Sequence, residues 1–282
     1  MYTNVFLVSD GCLTFDILGT LQGMDKQLSR AIIWNCGGTG SLIIFLKCLG
    51  FTWEQMVSKL SLLKCLPNII YGGCLEPGVS LDIKMEIVTW LTDIINNKKL
   101  FSEDTTLKEI YKLTRIFPNI LTSKGSINPK SHPDVTLVDS VLTSMCNFGV
   151  YDKHIIDGEE YTSFSKYNPF PLESQVILEN IPQETLYLVN YSKLFNNEVY
   201  SVFDGIENRL VQEYFDRIYK IANNNTKTNF ILVNGIFSKE EITDYDVEHR
   251  VENGKSHSNM FLNNESTLKN METIINKIKN QS

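Results

Sequence analysis

The stretch that most constrains the fold is AIIWNCGGTGSLIIFLKCLG, residues Ala31 to Gly50. It opens with an apolar, β-branched run, which reads as a buried strand. A glycine-dense corner follows at Gly37, Gly38 and Gly40. Leu42, Ile43, Phe45, Leu46 and Leu49 then recur at helical spacing up to Gly50, which is placed to cap the helix C-terminus. A buried strand that turns sharply into an apolar helix needs layers on both sides. That requirement points to an α/β fold with a mainly parallel sheet.

The rest of the chain supports this alternation. NVFLVSDGC is a strand broken by a turn, and FTWEQMVSKLSLL is an amphipathic helix with Thr52 at its N-cap. SLDIKMEIVTWLTDIINNKK is a longer helix, and TTLKEIYKLTRIFP is a helix entered through Thr105 or Thr106. NILTS reads as a strand, and SHPDVTLVDSVLTSMC as a turn and helix with Pro133 near its first position. ETLYLVNYS and NFILVNG are later strands, with the helix IENRLVQEYFDRIYKIA between them. The domain is expected over residues 1–235. Residues 236–282 are polar and Asn-rich, and are expected to form a weakly packed tail with a terminal helix over Leu268 to Ile278.

Composition narrows the function. A net charge of −7 argues against nucleic acid, whose phosphates need clustered Lys and Arg. The six cysteines, at 12, 36, 48, 65, 74 and 146, form no CxxC pair and have no histidine neighbours. They read as reduced thiols, with no metal site and no cofactor. No signal peptide and no transmembrane segment is expected, which implies a cytoplasmic protein. The Asn/Ile/Lys-rich usage suggests a virus with an AT-rich genome, hence host-cell cytoplasm or virion. GGTGS lacks the Lys of a P-loop, so its glycines read as a tight turn and not as a phosphate cradle.

The corner Cys36-Gly37-Gly38-Thr39-Gly40, running into SLIIFLKCLGFT, resembles the nucleophile elbow of the patatin-like phospholipases, and particularly of their compact virus-encoded members. TTLKEIYKLTRIFPNILTS and HPDVTLVDSVLTSMCNFGVYDKHIIDGEEYTSFSKYNPFPLE resemble two later segments of that family. The resemblance runs from the N-terminus to about Glu173 and weakens up to Gly235. It implies a three-layer patatin-like fold and lipid acyl hydrolysis by a Ser–Asp dyad with a glycine-rich oxyanion loop.

Position by position, the resemblance puts the nucleophile at Gly38, the base at Ser163 and the oxyanion loop at Ser9-Asp10-Gly11-Cys12. Gly38 has no side chain, Ser163 is a poor base, and an Asp10 carboxylate facing the site would oppose an oxyanion. The expectation is therefore an inactive relative, not an enzyme, kept for a protein partner, self-association, a lipid surface or a structural role. The alternative is a lipid acyl hydrolase with relocated catalytic residues. Cys36, Thr39 and Ser41 are the candidate substitute nucleophiles. Asp157 and Glu160 are the carboxylates nearest the lost base. Asp139 reads as a capping or surface carboxylate, and His132, His154, His249 and His257 lie away from the corner.

Overall fold

The computed structural model describes residues 1–9, 11–60, 62–67, 79–146, 153–163, 185–192, 229–235 and 242–263. Six strands form one sheet in the order β4-β3-β2-β1-β7-β8: β1 Asn4–Ser9, β2 Ile33–Gly38, β3 Phe117–Thr122, β4 Gly125–Ile127, β7 Thr185–Ser192 and β8 Asn229–Gly235. Only β4 runs antiparallel to its neighbour. The short strands β5 His154–Ile156 and β6 Glu159–Tyr161 form a separate hairpin. Its turn has Asp157 at φ 52° and Gly158 at φ 80°, the left-handed pair that a two-residue hairpin requires.

β1 sits at the centre, between β2 and β7, and its residues Val5 to Ser9 are all buried. This is why its sequence is continuously apolar and does not alternate. Helices flank the sheet. The helices are α1 Leu13–Gly23, α2 Asp25–Leu28, α3 Ser41–Cys48, α4 Trp53–Lys59, α5 Leu62–Pro67, α6 Val79–Asn96, α7 Leu107–Thr114, α8 Leu137–Met145 and α9 Asp244–Leu262. α3 and α8 pack by β2 and β3, while α1 and α9 pack by β7 and β8.

Local chemistry sets several boundaries. Thr52, Thr106 and Thr243 each close a capping box, with Gln55, Glu109 and Asp246 respectively as its third-position partner. α8 starts at Leu137, four residues later than Pro133 suggested, with Thr136 as its cap: the Thr136 hydroxyl accepts from the Asp139 N–H at 3.0 Å. Gly50, at φ 76°, ends the helical run after the elbow. The helix expected over IENRLVQEYFDRIYKIA and the terminal helix over Leu268 to Ile278 lie outside the described residues.

The expectation of a weakly packed tail needs correction over Asp244–Leu262. Those residues form α9, which lies against α1 in backbone contact. A methyl group built on Gly19 would sit 2.0 Å from the Val251 carbonyl oxygen, and one on Gly254 would sit 2.0 Å from the Asp16 carbonyl oxygen. Thr20 donates its hydroxyl to the Gly254 carbonyl at 3.1 Å. The segment is polar because only a narrow stripe of it is buried: Val247, Arg250, Val251, Gly254 and Ser258.

Candidate functional site

In a parallel sheet, ligands bind beyond the carboxyl ends of the strands, where neighbouring connections diverge. Here β1 lies at that divergence, with β2 and β3 on one side and β7 and β8 on the other. The sequence-predicted residues gather at this edge. Ser9 pairs with Gly38 across the ends of β1 and β2. Cys36 pairs with Ile120, so the two strands carry Gly38 and Thr122 to the same edge. Thr122 in turn bridges Ser163, whose N–H donates to the Cys146 carbonyl at 2.7 Å. The nucleophile position and the base position are thus brought together through one strand, although 125 residues separate them in sequence.

The elbow itself has the expected shape. Gly38 adopts φ 60°, in the left-handed region that β-carbon-bearing residues enter only under strain. Gly40 is required for packing, because a methyl group on it would lie 2.5 Å from the Leu7 side chain and 3.0 Å from the Gly37 carbonyl. The Gly40 N–H donates to the Ser9 carbonyl at 3.2 Å, tying the start of α3 to the end of β1. Of the predicted oxyanion loop, Gly11 is left-handed at φ 54° and Cys12 is buried, and the loop leads directly into α1. Asp10 lies outside the described residues.

The three substitute nucleophiles differ in their surroundings. Cys36 is fully buried, and burial pushes its thiol well above the ordinary range, with Cys48 adding to the shift. Burial of this kind disfavours the thiolate. Ser41 is fully buried and donates to the Gly38 carbonyl at 2.7 Å. Thr39 is the least enclosed of the three, 9% exposed. Its hydroxyl donates to the Ser9 carbonyl at 3.0 Å and meets the Thr14 hydroxyl at 2.7 Å. Thr14 in turn meets the Ser9 hydroxyl at 3.0 Å, so three hydroxyls form a chain beside the elbow.

The alternative carboxylates do not face this edge as bases. Asp157 makes the hairpin turn, and Glu160 is ion-paired with Lys153 on the exposed hairpin. Asp139 lies in the first turn of α8, where its Oδ2 accepts from the hydroxyl of the capping Thr136 at 2.8 Å and its Oδ1 accepts from His154 Nε2 at 2.9 Å. That hydrogen bond, followed by the Thr136 hydroxyl, holds the Asp139 carboxyl below the usual carboxylate range. His154 is buried, and its Nδ1 has no hydrogen-bond partner among the described residues. His132 bonds Ser131 at 2.9 Å, His249 is exposed, and His257 on α9 is half-buried with its pKa lowered by that burial. Among the described residues, no group of three or more His, Cys, Asp or Glu could hold a metal ion. No helix among them is long and apolar enough to cross a membrane.

Sequence reasoning missed α1 and the group that anchors it. LTFDILGTLQG carries an apolar stripe and two glycines four residues apart, but its buried Asp16 makes no sense until α9 is in place. Asp16 is 1% exposed, and Arg250 donates to its Oδ2 at 3.0 Å while Asn253 donates to its Oδ1 at 2.7 Å. Burial nevertheless raises the Asp16 pKa, against the pull of Asn253 and Arg250.

A central, mostly parallel sheet with flanking helices and a glycine elbow at its carboxyl edge is the patatin-like fold, and the likeness to one solved structure supports it. VipD from Legionella pneumophila matches with a TM-score of 0.55 at 10% identity, over 93% of this chain and 67% of VipD. The type III effector ExoU matches with a TM-score of 0.46 at 11% identity, over 94% of this chain and 54% of ExoU. ExoU in complex with SpcU, from Pseudomonas aeruginosa, gives 0.45 at 12% identity, over 95% and 53%. The chain therefore spans about two thirds of VipD and about half of ExoU. No family model and no curated protein matches the chain. The expectation that the chain is not an enzyme is corrected: the fold shared with VipD is that of the patatin-like phospholipases, and the lack of a serine at Gly38 or an aspartate at Ser163 does not show inactivity.

Proposed function

We propose that the protein hydrolyses acyl esters of lipids, with its attacking group displaced from the usual elbow apex. One observation carries this reading: the patatin-like fold, matched by VipD over 93% of the chain, includes an elbow that still turns at φ 60°. The Thr39 hydroxyl is the attacking group in this reading. It is adjacent to the apex, the least buried of the three candidates, and linked to two further hydroxyls that can take part in moving its proton. Thr39 Oγ1 attacks the ester carbonyl, and the alcohol leaves with the proton. Water then cleaves the acyl-threonine to return the enzyme and release the acid. The turn from Ser9 to Cys12, with the N-terminus of α1 behind it, is where donors to the oxyanion belong.

The test is release of fatty acid from phosphatidylcholine in mixed micelles by the purified chain, alongside Thr39→Ser and Thr39→Val. The expected result is hydrolysis by the wild type and Thr39→Ser, and its loss in folded Thr39→Val. Hydrolysis that survives Thr39→Val moves the attacking group elsewhere. No release above the protein-free blank overturns the reading altogether.

A further inference from the structure

The buried carboxylate of Asp16 stands one turn into α1, five residues beyond Gly11. Its surroundings are built to receive it. Arg250, itself 8% exposed, supplies the counter-charge, and Asn253 satisfies the other oxygen. At the end of β8, a methyl group on Gly235 would lie 2.9 Å from Asp16 Oδ2 and 2.7 Å from the Leu13 side chain. Asp16 is therefore held from two elements, α9 and the carboxyl end of β8, at the same sheet edge as Ser9 and Gly38. The first N–H groups of α1 bond back into the loop, Thr14 to Gly11 at 3.2 Å and Phe15 to Cys12 at 3.2 Å. Any movement of the first turn of α1 is thus transmitted to that loop.

We propose that Arg250 and Asn253 of α9 are positioning residues for the ester-hydrolysis site. They clamp Asp16, and so fix the first turn of α1 and, through the Thr14 and Phe15 N–H bonds, Gly11 and Cys12 at its start. Arg250 has a second effect on the same site. It neutralises a carboxylate that would otherwise stand without counter-charge in the first turn of the helix that follows Gly11 and Cys12, where it would disfavour negative charge developing nearby. This inference rests on the hydrolase reading for its catalytic part only. The mechanical part, from α9 to the loop, stands on the contacts above.

The experiment uses the full chain as wild type, Arg250→Met, Asn253→Ala and the double variant Asp16→Asn/Arg250→Met, all well below their unfolding transitions. Amide hydrogen exchange is followed over residues 9–18, with β1 and β2 as internal references. Phosphatidylcholine hydrolysis is measured in parallel. In Arg250→Met, exchange over residues 9–18 should rise about tenfold while the strands are unchanged. Its kcat should fall at least about tenfold with KM within about twofold, because small misplacements of the reacting groups are enough for such losses. The double variant, which removes the unpaired charge but leaves the clamp broken, should recover part of the lost kcat while its exchange over residues 9–18 stays raised. Asn253→Ala, which keeps the ion pair, should show a smaller change of the same kind, and it decides the matter if Arg250→Met does not fold. Unchanged exchange over residues 9–18 in a folded Arg250→Met overturns the clamp. A lowered kcat that the double variant does not recover overturns the electrostatic part. If the wild type hydrolyses nothing, the functional reading fails, and the exchange measurement alone decides whether α9 holds the loop.

Discussion

Replacing Gly19 or Gly254 by alanine tests whether α9 is part of the domain. The two possibilities predict opposite signs. On a helix that touches nothing, glycine to alanine stabilises by about 1 kcal/mol, since alanine loses less backbone entropy on forming helix. On docked helices the new methyl meets backbone at 2.0 Å at either position, where ordinary contact begins at 3.4 Å. Backbone cannot swing aside as a side-chain end can, so α1 and α9 must part by about 1.4 Å, the difference between those distances. Overpacking of this kind costs roughly 1–3 kcal/mol. Parting the helices also stretches the Thr20 to Gly254 hydrogen bond, at 3.1 Å, and the Arg250–Asp16 pair, at 3.0 Å. Losing the first is worth about 1 kcal/mol, and loosening a buried ion pair adds to it. Set against the propensity gain, each variant should be less stable than wild type by about 2–3 kcal/mol. Urea unfolding followed by circular dichroism measures this. Gly50→Ala is the contrast: nothing lies within 4 Å, but its φ of 76° strains alanine, so a loss of only about 1 kcal/mol is expected. A Gly19→Ala protein as stable as wild type, or more so, would refute the docking of α9.

Three other outcomes follow from the same structure. The Asp139 carboxyl is held low by His154 and Thr136, so its contribution to stability is present above the unfolded carboxylate value of about 3.9 and is lost as pH falls through the lower folded value. The stability gap between wild type and Asp139→Asn should therefore narrow from pH 6 to pH 3, and at 43% side-chain exposure it should stay below about 1 kcal/mol; a gap independent of pH contradicts the assignment. Cys12, Cys36, Cys48 and Cys146 are buried, and burial pushes the Cys36 and Cys48 thiols up, so iodoacetamide should leave all four unmodified until urea is added, as read by peptide mass spectrometry. Thr106→Ala, which opens the capping box with Glu109, should lower stability by about 1 kcal/mol in urea, while Thr106→Ser should be close to neutral.

The sheet was legible because its central strand β1 is buried on both faces, which leaves the uninterrupted apolar run VFLV. The N-caps were legible because Thr52 and Thr106 act on residues three positions away, within reach of a sequence pattern. The proximity of Gly38 and Ser163 came from resemblance, since no local signal joins them; in the structure Thr122 does so. Two features escaped for one physical reason. α1 and α9 meet through glycines and a buried ion pair, so α9 lacks the broad apolar stripe that marks a packed helix, and the stripe of α1 is interrupted by Asp16 and Gly19. Asp16 and Arg250 each look like surface charges until they are paired at 3.0 Å, 234 residues apart in the chain. Likewise Asp139 reads as a surface or capping carboxylate; one oxygen accepts from the capping Thr136 hydroxyl, and the other holds His154 through a contact that only the packing of the hairpin on α8 creates.

The elbow separates two properties that a sequence motif combines. Its path is set by packing: Gly40 must lack a side chain because Leu7 is 2.5 Å from where one would begin, and the Gly40 N–H fastens α3 to the Ser9 carbonyl. These contacts lie on the buried side of the turn and persist whatever stands at the apex. At the apex, φ 60° strains any residue with a β-carbon by about 1–2 kcal/mol, and glycine removes that strain. A serine at the apex would carry that strain and expose its hydroxyl above the sheet, whereas Gly38 leaves the adjacent Thr39 as the nearest hydroxyl of that turn with any exposure. The shape of the corner therefore reports on how β1, β2 and α3 pack. Under the proposed hydrolysis its chemistry falls to Thr39, one residue past the apex.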